Sequence, residues 1–179
     1  MTVDVGDLSG RSFINNSSVG MYASLVAERA AMQRIGRGKW LAYGLAAMRV
    51  WRRCRRLRVA VGAAKVEAGR KVITPFVFVG NNEYQLSGLE LGGRKTLAAG
   101  RLHVCMAPGM SRRGVARMII VAVFGDVRTL DGFDTFTAPA VTLDAGVRRL
   151  QASIDGEVVT LDNPLTFRIR PRALRVIVP

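Results

Sequence analysis

The residue types best able to do chemistry stand together near the end of the chain, in Asp155-Gly156-Glu157. Two carboxylates at this spacing could take or steer the proton of a substrate hydroxyl, one acting as base while the other orients it or meets a metal ion. Their placement follows from the residues on either side. Leu150, Ala152 and Ile154 alternate with Gln151 and Ser153, the period-2 signature of a strand with one buried face. Val158, Val159 and Leu161 begin a return strand, and Asp-Gly is a favoured two-residue hairpin turn because both central positions take positive φ. The stretch reads either as a well-made hairpin or as a pair of carboxylates presented at a sheet edge.

Other reactive residues are few. His103 is the one histidine and sits between Leu102 and Val104 in a strand-like run, so there is no zinc cluster to build and no metal site is expected. Cys54 and Cys105 lie far apart, with no metal-type spacing and no adjacent histidine, and read as free thiols of a cytosolic protein. With 179 residues, 49% hydrophobic and 22% charged, the chain has the profile of one folded domain with a proper core. Its longest apolar run, Met118 to Phe124, is far too short to span a bilayer. The stretch from Met1 to Asp7 has neither the positive nor the apolar region of a secretory signal, so the expected location is the cytoplasm.

Charge narrows the class of partner. The formal net charge is +14, and the segment from Arg34 to Arg70, with eleven basic residues and one acid, supplies +10 of it. So local a field implies an anionic partner near that segment. It ends in Trp51-Arg-Arg-Cys-Arg-Arg-Leu-Arg58. One reading is a solvated helix end whose cations complement the helix dipole. The other is an amphipathic surface that meets anionic phospholipid headgroups, with Trp40 and Trp51 as interfacial anchors and Arg52, Arg53, Arg55 and Arg56 as the cations. Only charge speaks for nucleic acid, with no binding motif beside it, and none is expected.

The elements that must position these residues follow from periodicity. Thr2 to Val5 and Ser12 to Asn15 predict two short strands around a loop at Gly6 to Gly10, a start in mid-hairpin that suggests something precedes it. Asn15 to Gly20 reads as a polar turn ahead of a helix N-cap. Met21 to Ile35 and Lys39 to about Arg56 read as helices, broken at Gly36-Arg-Gly38, and Met110 to Phe124 as a third. Between and after them the pattern is β: Val72 to Val79, with Pro75 at an edge, then Gly100 to Ala107, Phe136 to Leu143, Val147 to Ile154, Glu157 to Leu161, Leu165 to Ile169 and Leu174 to Val178. Many short strands with turn signals between them predict a mainly β, α+β domain: an antiparallel β-sandwich with helical insertions.

Five stretches carry a resemblance. Phe13-Ile-Asn-Asn-Ser-Ser-Val-Gly-Met-Tyr22, Phe76-Val-Phe-Val-Gly-Asn-Asn82, Gly100-Arg-Leu-His-Val104, Ile154-Asp-Gly-Glu157 and Phe167-Arg-Ile-Arg-Pro-Arg-Ala-Leu-Arg-Val-Ile-Val178 resemble, in order, the C-terminal half of the soluble bacterial diacylglycerol kinase-like lipid kinases. That family shares its scaffold with NAD kinase and sphingosine kinase. The resemblance implies that residues 1–179 form the lipid-acceptor domain, an NAD kinase-like β-sandwich with a basic helical insertion at about 21–58, and that Asp155 and Glu157 are its catalytic carboxylates. It implies Mg-ATP as co-substrate of the intact enzyme, a lipid acceptor, and peripheral association with an anionic membrane. Two departures stand out. The family's glycine-rich phosphate-binding motif is absent from 1–179, so the ATP-binding half would have to come from elsewhere, such as another chain, and the isolated chain is expected to be inactive. Where family members carry an acidic ligand of a structural magnesium, ahead of the Gly100 strand, this chain has Ala98 and Ala99, which offer no side-chain oxygen. The alternative class is a non-catalytic module that binds anionic phospholipid.

Overall fold

A computed structural model describes residues 1–21, 56–63, 66–84, 94, 96–111, 113–115, 117 and 133–177, the side chains of 66–69 excepted. Twelve strands are described: β1 (Thr2–Leu8), β2 (Arg11–Phe13), β3 (Asn16–Gly20), β4 (Leu57–Ala63), β5 (Val66–Thr74), β6 (Phe76–Asn81), β7 (Leu102–Met106), β8 (Asp134–Ala138), β9 (Ala140–Asp144), β10 (Arg149–Ile154), β11 (Glu157–Asp162) and β12 (Leu165–Arg175). They form two six-stranded sheets, ordered β2-β1-β12-β9-β4-β5 and β11-β10-β3-β6-β7-β8, and every strand pair is antiparallel. The architecture is the antiparallel sandwich that the run of short strands predicted. Its interior is filled from both sheets by alternate residues, among them Leu8, Phe13, Val61, Leu143 and Phe167 from the first and Val19, Val77, Val79 and Leu102 from the second.

Several expected boundaries are corrected, each for a physical reason. Val72 to Val79 is two strands in different sheets, because Pro75 has no N–H to continue a ladder and the chain crosses over there. Pro139 does the same between β8 and β9. Of Asn15 to Gly20, read as a polar turn, Asn16–Gly20 is instead the central strand β3, held between β10 and β6. Tertiary pairing outweighs the low β-propensity of Asn-Ser-Ser there. The two strands expected around Pro171 are one, β12, whose Arg172 takes φ 51. Of the three expected helices, Met21, Arg113–Val115 and Arg117 are helical, and the rest lie outside the described residues.

Strand directions define two ends of the sandwich. At one end meet the starts of β1, β3 and β7, the ends of β6 and β12, and the β10–β11 turn. At the other lie Gly20, Met21, Leu57, Thr74 and Asp144, so the segment that contains the basic run leaves and re-enters there.

Candidate functional site

The β10–β11 turn is the expected two-residue hairpin: Ile154 pairs with Glu157, and Asp155 and Gly156 have φ 47 and 91. Asp155 does more than turn the chain. Its Oδ2 accepts the Ile14 amide at 2.7 Å, and its Oδ1 accepts those of Asn15 and Asn16 at 2.8 and 3.0 Å. Its own N–H donates to the Asn16 carbonyl at 2.9 Å. A carboxylate facing three consecutive backbone donors is a charge-assisted clamp between segments about 140 residues apart in sequence. Glu157 is exposed at the same tip, and among the described residues its carboxylate has no hydrogen bond or ion pair.

The clamped loop is held from its other side as well. The Ile14 carbonyl accepts Asn81 Nδ2 at 2.9 Å and Arg94 Nη1 at 3.0 Å, and the Asn15 carbonyl accepts Tyr84 Oη–H and the Asn81 amide, both at 2.9 Å. Arg94 Nη2 reaches Asn15 Oδ1 at 3.2 Å, and its guanidinium lies 5.6 Å from the centre of the Tyr84 ring. Asn82, at φ 67, accepts the Ala99 amide at 2.9 Å and so closes the loop ahead of β7. Asp4, 1% exposed, closes it further: its Oδ2 takes the Gly100 amide at 2.7 Å and its Oδ1 the Arg172 amide at 2.8 Å. Asn15, Asn81, Asn82, Tyr84 and Arg94 hold this end of the sandwich together, and the sequence reading did not single them out. The Asn-Asn doublets were the available signal, since asparagine both tolerates positive φ and bridges backbone groups.

The second sheet's outer face has a different character. Opposite the core it carries Phe76, Phe78 and Cys105, packed with Met21, Ala107 and Val115. In register between these and β11 sit Ser18 and Ser153, directly paired across β3 and β10. Both hydroxyls are buried with no hydrogen-bond partner among the described residues. His103, on the same face, accepts the Tyr84 amide at Nδ1 at 3.2 Å, so its proton is on Nε2. Burial lowers its pKa, opposed by Glu83 nearby. Burial likewise pushes the Cys105 thiol up to about 11, helped by the Asp134 carboxylate, which leaves it unreactive.

The sandwich order, the Asp-Gly-Glu tip and the asparagine-lined end can be set against known proteins. Residues 17–178 match the family described as the YegS C-terminal NAD kinase β-sandwich-like domain. The chain belongs to that family. Three solved structures from Bacillus anthracis str. Sterne, each assigned as a diacylglycerol kinase, share the fold: TM-scores are 0.61, 0.56 and 0.58 at 18%, 12% and 19% identity. Each match covers 96% of this chain but only 52–55% of the structure compared, so the chain spans about half their length.

Within this YegS-type domain the described residues bring no three His, Cys, Asp or Glu side chains together, and the carboxylates of Asp4 and Asp155 are turned onto backbone amides. Among the described residues no helix is long and apolar enough to cross a membrane. Arg56 is exposed just before β4, while Trp40, Trp51, Arg52, Arg53, Arg55 and Cys54 lie outside the described residues.

Proposed function

We propose that this chain is the lipid-acceptor half of an ATP-dependent diacylglycerol or related lipid kinase. The exposed Glu157 is the base for the acceptor hydroxyl, and Asp155 is the positioning residue that fixes its turn. The observation that carries this reading is the three-amide clamp on Asp155. It holds the tip rigidly while leaving the neighbouring carboxylate unpaired and accessible. In the transfer, an acceptor oxygen–phosphorus bond forms, the bond to ADP breaks, and the hydroxyl proton passes to Glu157. Mg-ATP would be held by an ATP-binding half, consistent with the missing glycine-rich loop and with matches to proteins about twice as long. The outer face of the second sheet supports a lipid acceptor, because Phe76 and Phe78 beside two unpaired hydroxyls give it an apolar wall with a polar stripe.

The test is to supply the chain with the ATP-binding half of a family member and measure phosphorylation of diacylglycerol. Glu157→Gln should lower the rate about 10²–10⁴-fold with an unchanged melting temperature, the usual cost of removing a general base. The 179-residue chain alone should phosphorylate nothing. Near-full activity with Gln at 157 would return the tip to a plain turn. A second reading, favoured by the net charge of +14, is a non-catalytic module that meets anionic membranes through Trp40, Trp51, Arg52, Arg53, Arg55 and Arg56. A chain that binds such membranes yet gives no phosphoryl transfer even when an ATP-binding half is supplied would be that module.

A further inference from the structure

The first sheet has an outer face of its own, turned away from the sandwich interior, and near the end opposite Glu157 it holds a groove of about 620 Å³. Its floor is low because Ala60 lies between Lys71 on one neighbouring strand and Asp144 on the other. Arg58 stands two residues before Ala60 on the same face, opposite Ile73, and Gly146 closes the rim. Arg58 and Lys71 are exposed and have no ion-pair partner among the described residues. Ile73 is 45% exposed, and Val147, just beyond the rim, is 48% exposed.

We propose that this groove docks onto a bilayer by taking the headgroup phosphate of an anionic phospholipid between Arg58 and Lys71, with Ile73 and Val147 against the acyl boundary. Charge complementarity carries the choice of occupant. Two unpaired cations over a small-residue floor suit a phosphate, and two exposed apolar side chains beside them suit the interface rather than free solvent. Asp144 is the one acid among the described lining residues. Its Oδ1 is held by the Gly146 amide at 2.8 Å and by Asn163 Nδ2 at 2.6 Å, and it lies across Ala60 from Lys71. The site is continuous with the basic segment, since Arg56 and Arg58 lead directly into it. It is separate from the Glu157 tip, so the lipid bound here is not the one phosphorylated, and the proposal does not depend on the kinase reading.

The test uses the full chain without nucleotide, partitioned onto phosphatidylglycerol–phosphatidylcholine vesicles at about 0.1 M salt, where screening still leaves surface charges effective. Arg58→Gln with Lys71→Gln should weaken partitioning about 30-fold, the factor for two cations at roughly 1 kcal/mol each. Arg168→Gln with Arg170→Gln removes the same charge from the same sheet face outside the groove and should cost about 3-fold or less. Asp144→Asn keeps both hydrogen bonds, because an amide oxygen can accept them, and should tighten binding several-fold. Equal losses from the two arginine-containing pairs, no loss from the groove pair, or weaker binding by Asp144→Asn would each overturn the proposal.

Discussion

The asparagine-lined end and the outer face of the second sheet are built from the same kinds of short polar residue, and they use them in opposite ways. At the end, the Asp155 and Asp4 carboxylates and the Asn81 and Asn82 amides all meet backbone partners from distant segments. On the face, the buried hydroxyls of Ser18 and Ser153 meet none among the described residues. The first arrangement fixes geometry. The second leaves polar capacity unspent where an apolar wall would be more stable, as does Ser17, whose hydroxyl is equally unpartnered on the interior side of the same strand.

Substitution can break this contrast at its strong side first. Asp155→Ala removes the acceptor of three amides and puts a Cβ residue without a local hydrogen bond at φ 47. It should cost about 3 kcal/mol, or roughly 6–12 °C in melting temperature by thermal denaturation. Asp155→Asn is the sharper probe. As a plain turn, Asn-Gly would be as good as Asp-Gly. Here either its amide nitrogen faces the Ile14 N–H or it abandons the other two, so a loss of about 1–2 kcal/mol is expected. A variant with unchanged stability would show that the clamp is not needed. Where stability does fall, activity lost in Asp155→Asn reports displacement of the tip, and Glu157→Gln alone isolates the proton transfer.

The weak side should respond with the opposite sign. Ser18→Ala and Ser153→Ala each remove a buried hydroxyl that has no partner among the described residues, and should be neutral or stabilising by up to about 1 kcal/mol in denaturant unfolding. Destabilisation beyond that would mean the hydroxyls are satisfied in solution, and the contrast would fall.

The smallest effect is on pH dependence. Burial lowers the folded-state pKa of His103, so between that value and the ordinary one near 6.5 the unfolded chain binds more protons. Stability from a neutral His103 is therefore complete above about pH 6.5 and declines as pH falls through the lowered folded value. His103→Gln should flatten that part of a stability–pH curve. An unaltered slope would place the titration elsewhere.

How far the sequence reveals this molecule depends on the range of the interaction. The hairpin at Asp155-Gly156 was legible because turn chemistry is local, and the sandwich was legible from alternation repeated over many short segments. Strand assignments failed at Asn16 to Gly20, where Asn-Ser-Ser takes its conformation from β10 and β6 rather than from propensity. They failed again at Pro75 and Pro139, which mark passage between sheets where alternation alone suggests continuity. At the candidate site the carboxylates could be named, but not that the amides of Ile14, Asn15 and Asn16 occupy one of them. That fact joins residues about 140 positions apart and leaves no local mark.

The pairing of β1 with β12, from Thr2 opposite Arg175 to Leu8 opposite Phe167, has a consequence for synthesis. β1 is made well before β12, so it waits until nearly all of this domain has been synthesised before that central partner exists. In that interval β1 and β2 can form only an isolated hairpin, which is marginal in water, and the apolar Val3, Val5 and Leu8 stay open to other chains. Closure of the first sheet is then a late, all-or-none event of high contact order, so this domain should fold slowly and depend on chaperones at high expression.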